Sequence, residues 1–340
     1  MRSTTRKLDD ESVRLALDVD IELVAVERAG VSSQAARVAG PAVGLPGWSR
    51  EPVSMSEEAI VQTTDPEDAF TALADERRVA ILDALWEPTN DWSTEGATTF
   101  SDLREAVGMR DSGQFNYHLD KLSGLFVRKT EDGYRLTLAG RQVLGAIRAG
   151  SYTTAGSVDP FVLDDPCPVC GEGLTFRYEN EQVHIACGDC NMALQFWIPP
   201  GVFEGVDRRD FPEVASRYMR ASVQKMKAGF CWFCQGPMAT ELVPVGDLVP
   251  ETTGEVALAD DLPLVRIRCT RCGESVTNDL GTALLDEPVV VAFHETHGVD
   301  VPGTHWWHNT IVDVDRAHFT DDGTPPACVH FEAGGEELRV

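Results

Sequence analysis

The sequence predicts an α+β fold, and three patterns along its 340 residues carry that prediction. Apolar residues recur at helical spacing between residues 65 and 150. Four Cys-x-x-Cys pairs follow between residues 167 and 272, and short alternating runs typical of strands surround them. We therefore expect a mainly helical domain at 61–150, then two cysteine-paired modules in a mixed α/β region, 159–205 and 206–340.

The composition is strongly acidic, with a formal net charge of -26 and 43% hydrophobic residues. An excess of carboxylates keeps a surface hydrated in concentrated salt, which indicates the cytoplasm of an extreme halophile. No apolar run approaches the ~18 residues that a membrane span requires, so we expect no membrane partner. The sequence shows no signal peptide, which favours a reducing compartment.

The first 54 residues differ in charge from the rest. Residues 1–54 carry seven Lys/Arg and eight Asp/Glu, a net charge of -1, whereas residues 55–340 carry 22 and 47, a net charge of -25. The run Met55–Glu58 resembles an ordinary start. We expect residues 1–60 to be a disordered tail or a mis-assigned start, although weak helical periodicity around Val13–Val26 is an opposing signal.

The helices of the first domain are predicted by their capping residues. Asp65 caps a first helix, and a second begins near Asp75. Ser101 is expected to cap a third helix that ends at Gly108, and Ser112 is expected to cap a fourth helix that runs to about Ser123. A short helix, a tight turn and another helix predict a helix-turn-helix.

The fourth helix has an apolar face and a polar face. Phe115, Leu119 and Leu122 are spaced to pack on the preceding helices. Glutamine pairs with adenine and lysine with guanine in the major groove, so the opposite face has the chemistry to read bases. The residues predicted on that face are Gln114, Tyr117, His118 and Lys121.

Two β-rich runs around Asp132-Gly133 predict a tight hairpin, which would be a wing. Residues 100–150 carry eight Lys/Arg against six Asp/Glu, a local net charge of +2 in an acidic chain. Such a positive island is the electrostatic footprint of a DNA-binding surface, and its wing cations are Arg128, Lys129 and Arg135. A solvated helical face with a hairpin, or a protein-docking module, remains the alternative.

Four segments together resemble the winged helix-turn-helix of ArsR-type regulators, in the variety common among haloarchaeal proteins: Asp75–Leu82, Phe100–Gly108, Tyr117–Leu122 and Asp132–Gly140. The resemblance covers about residues 65–150, a quarter of the chain. It implies a homodimer that represses or activates from a pseudo-palindromic operator. It also implies that the fourth helix is the recognition element and that Glu131–Tyr134 forms the wing tip.

One departure from that family concerns metal sensing. The metal-sensing members carry cysteines inside the winged helix, whereas the first cysteine here is Cys167. The resemblance therefore does not support arsenic or metal sensing in the first domain. The remainder of the chain resembles the uncharacterised cysteine-paired C-terminal regions fused to such winged helices, which implies an association with transcription and no defined ligand.

The paired cysteines predict two structural Zn²⁺ sites, because two Cys-x-x-Cys pairs complete a closed tetrahedral set of four sulfur ligands. Sixteen residues separate the two pairs of the first quartet, and 34 separate those of the second, which requires an inserted loop. Disulfides or dithiol redox chemistry are the alternatives, and the spacing does not decide whether the pairs interleave. The first quartet is Cys167, Cys170, Cys187 and Cys190, and the second is Cys231, Cys234, Cys269 and Cys272.

The C-terminal region also holds two His-x-x-His pairs, a possible third metal or ligand site: His294, His297, His305 and His308. Surface or structural histidines are the alternative. Glu295 suggests a catalytic base, but the metalloprotease motif needs one more residue between its Glu and second His. Helices are predicted at Phe211–Gly229 and Glu287–Gly298, and hairpin turns at Asp322-Gly323 and Gly334-Gly335.

These patterns predict a transcriptional regulator that binds double-stranded DNA, not an enzyme. In this interpretation the two zinc-ribbon-like modules organise an effector or dimerisation domain that senses a small molecule or a metal. A basal-type transcription factor associated with RNA polymerase is the first alternative, because it combines the same modules. A zinc-dependent hydrolase that uses His294, His297 and His305 is the second.

Overall fold

The computed structural model describes residues 65–86, 97–190, 192–248, 260–311, 313–321 and 326–340. They form two compact units that divide between Thr153 and Thr154. Both units combine helices and strands, so the α+β prediction is confirmed. The predicted tail and the Asp322-Gly323 turn lie outside the described residues. Across the described ranges, no helix is both long enough and apolar enough to cross a bilayer.

The part of the first unit that the structure describes has four helices, a two-stranded hairpin and a fifth helix. Asp65 caps the first helix as predicted, since its carboxylate accepts a hydrogen bond from the Glu67 N–H. The other two predicted caps are wrong: Thr99 and Asp111 cap the third and fourth helices, through the N–H groups of Asp102 and Gln114. The elements are α1 (Pro66–Leu73), α2 (Glu76–Trp86), α3 (Phe100–Ala106), α4 (Ser112–Leu122), β1 (Val127–Thr130), β2 (Gly133–Leu136) and α5 (Leu138–Arg148).

The core of this unit lies where the helices meet the hairpin. The predicted apolar face of α4 is confirmed, because Phe115, Leu119 and Leu122 are all buried. The Phe115 ring packs edge-on against the Phe100 ring, with 4.9 Å between their centroids. The helix is therefore fixed by one face and presents the other to solvent.

The predicted hairpin is confirmed, but Gly133 is the first residue of its second strand and not part of its loop. Thr130 pairs with Gly133, so Glu131 and Asp132 form the two-residue loop. Gly133 has a φ of 143°, and a Cβ there would overlap the carbonyl of Thr98, which exchanges two hydrogen bonds with Tyr134. A glycine is required at this position because another segment approaches it closely.

The described residues of the second unit form three antiparallel sheets and three α-helices. Gly334 and Gly335 form the predicted turn, both with positive φ, between the paired residues Ala333 and Glu336. The two predicted helices are also confirmed, within two residues at each end. The elements are β3 (Val158–Pro166), β4 (Gly173–Glu179), β5 (Gln182–Cys187), β6 (Ala193–Trp197), α6 (Phe211–Lys227), β7 (Met238–Pro244), β8 (Pro263–Cys269), β9 (Ser275–Asp279), α7 (Leu280–Leu284), α8 (Pro288–Thr296), β10 (Ala317–Phe319), β11 (Ala327–Ala333) and β12 (Glu336–Arg339).

One apolar cluster joins the two cysteine-paired modules. It includes Phe176 of β4, Val223 of α6, Ile267 of β8 and the fully buried Trp307. The segments 159–205 and 206–340 therefore share a core, with α6 packed between contributions from both. A separate apolar cluster lies beneath the last sheet, β10–β11–β12.

Asp279 is a buried carboxylate that joins two parts of the second unit. It caps α7 by accepting hydrogen bonds from the N–H and the hydroxyl of Thr282, and it also accepts from the N–H of Ile311. Burial raises the pKa of Asp279, while these three donors act in the opposite direction. The cost of burying the carboxyl group is thus offset by three hydrogen bonds.

Candidate metal centres and basic surface

Each predicted cysteine quartet comes together at the end of a sheet. The closest cross-pair Sγ–Sγ separations are 3.5 Å for Cys167–Cys190 and Cys170–Cys187, 3.7 Å for Cys231–Cys272 and 3.5 Å for Cys234–Cys269. A tetrahedral ion with Zn–S bonds of about 2.3 Å has S–S edges of about 3.8 Å. A disulfide bond would be about 2.05 Å long. The two quartets are therefore compatible with two structural metal sites and suggest zinc binding.

All four Cys-x-x-Cys segments fold into the same turn. In each, the N–H of the first cysteine donates a hydrogen bond to the carbonyl five residues later. These donor and acceptor pairs are Cys167–Glu172, Cys187–Met192, Cys231–Gly236 and Cys269–Glu274, with N–O distances of 2.6, 2.8, 2.9 and 2.7 Å. Gly171, Gln235 and Gly273, which each follow a second cysteine, have φ values of 82°, 57° and 83°. This left-handed residue folds the chain back so that both sulfur atoms point to one centre.

Backbone N–H groups point at the sulfur atoms and favour thiolates. In the second quartet the N–H of Cys272, helped by that of Arg271, lowers the pKa of Cys269 to about 6. In the first, the N–H of Asp189 lowers the pKa of Cys187 to about 7. The N–H of Glu172 acts on Cys170 in the same sense, yet desolvation and the neighbouring thiols raise its pKa to about 12. Four adjacent sulfur atoms cannot all ionise without a cation, which a divalent metal ion would supply.

The structure separates the four histidines of the possible third site. Nδ1 of His294 lies 2.8 Å from the Val290 carbonyl oxygen, and Nδ1 of His297 lies 2.7 Å from that of Phe293. Both rings are therefore anchored to α8 itself.

The second histidine pair lies elsewhere, at a carboxylate. His305 and His308 both contact one oxygen of Asp165, and Nε2 of His308 is 3.2 Å from it. Asp165, His305 and His308 lie close enough together to hold a metal ion. Neither His294 nor His297 belongs to this cluster. Sequence reasoning missed Asp165 because 140 positions separate it from His305.

We use the term basic surface for five exposed residues: Gln114, Tyr117 and Lys121 of α4, with Arg128 and Lys129 of β1. Their exposure is as the sequence predicts. The helix leads directly into the strand, because the Gly124 N–H donates to the Val127 carbonyl oxygen at 2.8 Å. The basic surface is thus built from two elements joined by a tight turn.

Two other residues predicted on this face are placed differently. His118 is only 5% exposed, and its Nδ1 lies 3.7 Å from Asp75 Oδ1. Its ring therefore faces Asp75, the residue before α2, and it does not join the basic surface. Arg135 is half-buried on β2, directly across the hairpin from Arg128.

The cations of the basic surface have no acidic partner among the described residues. Lys121, Arg128 and Lys129 form no ion pair there, and Lys121 Nζ instead lies 5.8 Å from the centroid of the Tyr117 ring. In the second unit, by contrast, many arginines pair with carboxylates. These pairs are Arg177–Glu179, Arg209–Asp207, Arg217–Glu213, Arg220–Asp286 and Arg266–Glu241.

The fold and the two quartets define an α+β protein with two candidate metal centres, each made of four cysteines. Residues 164–340 match a family described as Domain of unknown function (DUF7351), and because this match covers more than half of the chain, the protein belongs to that family. Residues 66–147 match a second family, described as Domain of unknown function (DUF7347). No curated protein matches the chain.

Proposed function

We propose that the protein is a DNA-binding transcriptional regulator whose C-terminal unit is organised by two structural Zn²⁺ ions. The observation that carries the proposal is the basic surface. It presents three cations without carboxylate partners among the described residues, in a chain whose formal net charge is -26. Unpaired cations at a surface are available to displace the counterions of a duplex, and that release drives DNA binding.

The order of the elements supports a winged helix-turn-helix. Helix α3 and a five-residue connection precede α4, and the β1–β2 hairpin follows it immediately. In such domains the recognition helix enters the major groove, while flanking segments contact the phosphate backbone. Gln114 and Lys121 would then form hydrogen bonds with base edges, and Arg128 and Lys129 would contact phosphates. The resemblance to ArsR-type regulators adds the expectation of a homodimer on a pseudo-palindromic site.

Zinc suits the sulfur quartets better than harder metals, because thiolates prefer soft or borderline cations. A closed set of four thiolates leaves no coordination position for water, so the two ions would hold the fold together and take no part in a reaction. We therefore do not propose a hydrolase at these centres. Their contribution to folding is on the order of 10 kcal/mol each, by analogy with other structural zinc sites.

A second candidate function is association with RNA polymerase, and one observation favours it. Phe230 and Phe233, on either side of Cys231, are each 57% exposed. Two exposed aromatic side chains beside the second cysteine quartet offer a surface for a protein partner, since aromatic residues are enriched in interface cores. In that case the basic surface would bind DNA without regard to sequence.

Selection of duplexes from a random DNA pool by the full chain, at high salt, tests the first proposal against the second. We expect enrichment of one palindromic motif. The double variant Gln114→Ala/Lys121→Ala should lose the motif, while Phe230→Ser/Phe233→Ser should retain it. Two results together would favour the RNA polymerase factor over the regulator. The wild-type chain would enrich no motif, and it would co-purify with RNA polymerase in a way that depends on Phe230 and Phe233.

A further inference from the structure

Three potential metal ligands that belong to neither quartet come together on the last sheet, β10–β11–β12. We propose that His318, Cys328 and His330 bind a transition-metal ion of the Zn²⁺ type through two imidazole nitrogens and one thiolate. The three ligand atoms lie within 4.8 Å of one another. This proposal does not depend on DNA binding.

Strand pairing brings these residues together. His318 of β10 stands directly opposite Cys328 of β11, and His330 follows two residues later on the same face of β11. The neighbouring residues Val329 and Phe331 point the other way, into the apolar cluster beneath the sheet. The three side chains therefore gather on the outer face of the sheet because of its register.

The distances between the ligand atoms fit a metal ion. Cys328 Sγ lies 3.2 Å from Nε2 of His318 and 3.8 Å from Nε2 of His330. With a Zn–S bond of about 2.3 Å and a Zn–N bond of about 2.05 Å, tetrahedral geometry places sulfur and nitrogen about 3.6 Å apart. The two observed separations bracket this value. A shift of a few tenths of an ångström would therefore bring both nitrogen atoms to the tetrahedral distance from sulfur.

A carboxylate orients one of the ligands. Nδ1 of His330 contacts the Glu337 carboxylate, which lies on β12. If Nδ1–H donates a hydrogen bond to the carboxylate, Nε2 carries the lone pair, and this lone pair faces Cys328. Histidine ligands of metals commonly have such a partner, which fixes the tautomer and strengthens the ligand. The main chain of His330 is held as well, because its N–H donates to the Arg316 carbonyl and its own carbonyl accepts from the Arg316 guanidinium.

The chemistry of this third site differs from that of the quartets. Cys328 is only 2% exposed, while the two imidazoles above it are half-buried. Three protein ligands leave the fourth position of a tetrahedral ion to water or to a small molecule. We therefore expect an ion that exchanges more readily than the two ions held by four thiolates. Among the described clusters, Asp165–His305–His308 differs in that its carboxylate already pairs with both histidines.

Cobalt titration of the full-length, two-zinc protein tests this site. Co²⁺ binds more weakly than Zn²⁺ in the order of divalent affinities, so it leaves zinc in the quartets. We expect one further equivalent of Co²⁺ to bind with a thiolate-to-cobalt charge-transfer absorption. Cys328→Ser should abolish this absorption, and Glu337→Gln should weaken cobalt binding by roughly 10- to 100-fold.

The matched control is His305→Gln, which changes a histidine of the other cluster and should bind cobalt like the wild type. Retention of two zinc ions per chain by each variant shows that it is folded. Because Glu337 is largely exposed, its substitution leaves the strands intact. Failure of the wild type to take up cobalt, a charge-transfer absorption that persists in Cys328→Ser, or a loss of binding in His305→Gln alone would each overturn the proposal.

Discussion

Removing the three cations of the basic surface should change how DNA binding responds to salt. The variant is Lys121→Gln/Arg128→Gln/Lys129→Gln. Each of these side chains is exposed and lacks a carboxylate partner among the described residues, so none has to break an ion pair before it meets a phosphate. We expect each to contribute one phosphate contact.

The size of the effect follows from counterion release. Each phosphate contact contributes about 0.9 to the slope of log K against log salt concentration, so three contacts contribute about 2.7. Over a fourfold rise in salt, the wild-type chain should therefore lose about 40-fold more affinity than the variant. Glutamine keeps much of the length of the side chains, so the change removes charge more than packing.

Fluorescence anisotropy with the selected duplex, repeated along a salt series, measures the slope of log K against log salt concentration for the wild-type chain and for the variant. The matched control is Arg177→Gln/Arg209→Gln/Arg217→Gln, which lowers the net charge equally but alters cations of the second unit that already pair with carboxylates. The control should keep the wild-type slope. If the basic-surface variant also keeps it, these cations do not contact phosphate, and the reasoning from unpaired charge fails.

Three further predictions concern stability and metal content. Cys170→Ser should reduce bound zinc from two ions to one and lower the melting temperature, whereas two retained ions would contradict the pairing of the first quartet. Asp279→Ala leaves three donors without their acceptor and should lower the free energy of unfolding by about 3 kcal/mol or more in denaturant titration; an unchanged midpoint would refute its capping role. Gly133→Ala should destabilise the first unit by more than about 1 kcal/mol, and more than Gly124→Ala, since Gly124 also has positive φ but has open space at its Cβ position. Equal losses would show that close approach of the backbone is unimportant.

The parts of the structure that depend on short-range spacing could be predicted from the sequence. A gap of two residues suffices to aim two thiolates at one point, so the four pairs follow from the cysteine positions alone. Which pairs share a centre follows only from the structure, which groups them in sequence order. The buried face of α4 follows in the same way from helical periodicity. The prediction for His118 is wrong because this residue lies at the boundary of that face, where only packing against α2 decides its direction.

The parts that depend on pairing of distant segments could not be predicted. Asp165 meets His305 and His308 only because the chain brings β3 against the segment before β10. The grouping of His318 with Cys328 depends on strand register, which a one-residue slip would destroy. The hairpin itself follows from the Asp132-Gly133 signal, whereas the close approach of the Thr98 carbonyl to Gly133 brings in a distant segment and could not be predicted.

The ratio of two affinities tests the regulator proposal most directly. Binding of the full chain to the enriched palindrome is compared, in the same salt, with binding to a scrambled duplex of equal length and composition. A sequence-specific regulator should prefer the palindrome by about 10³-fold or more. Equal affinity for both duplexes would contradict the proposal.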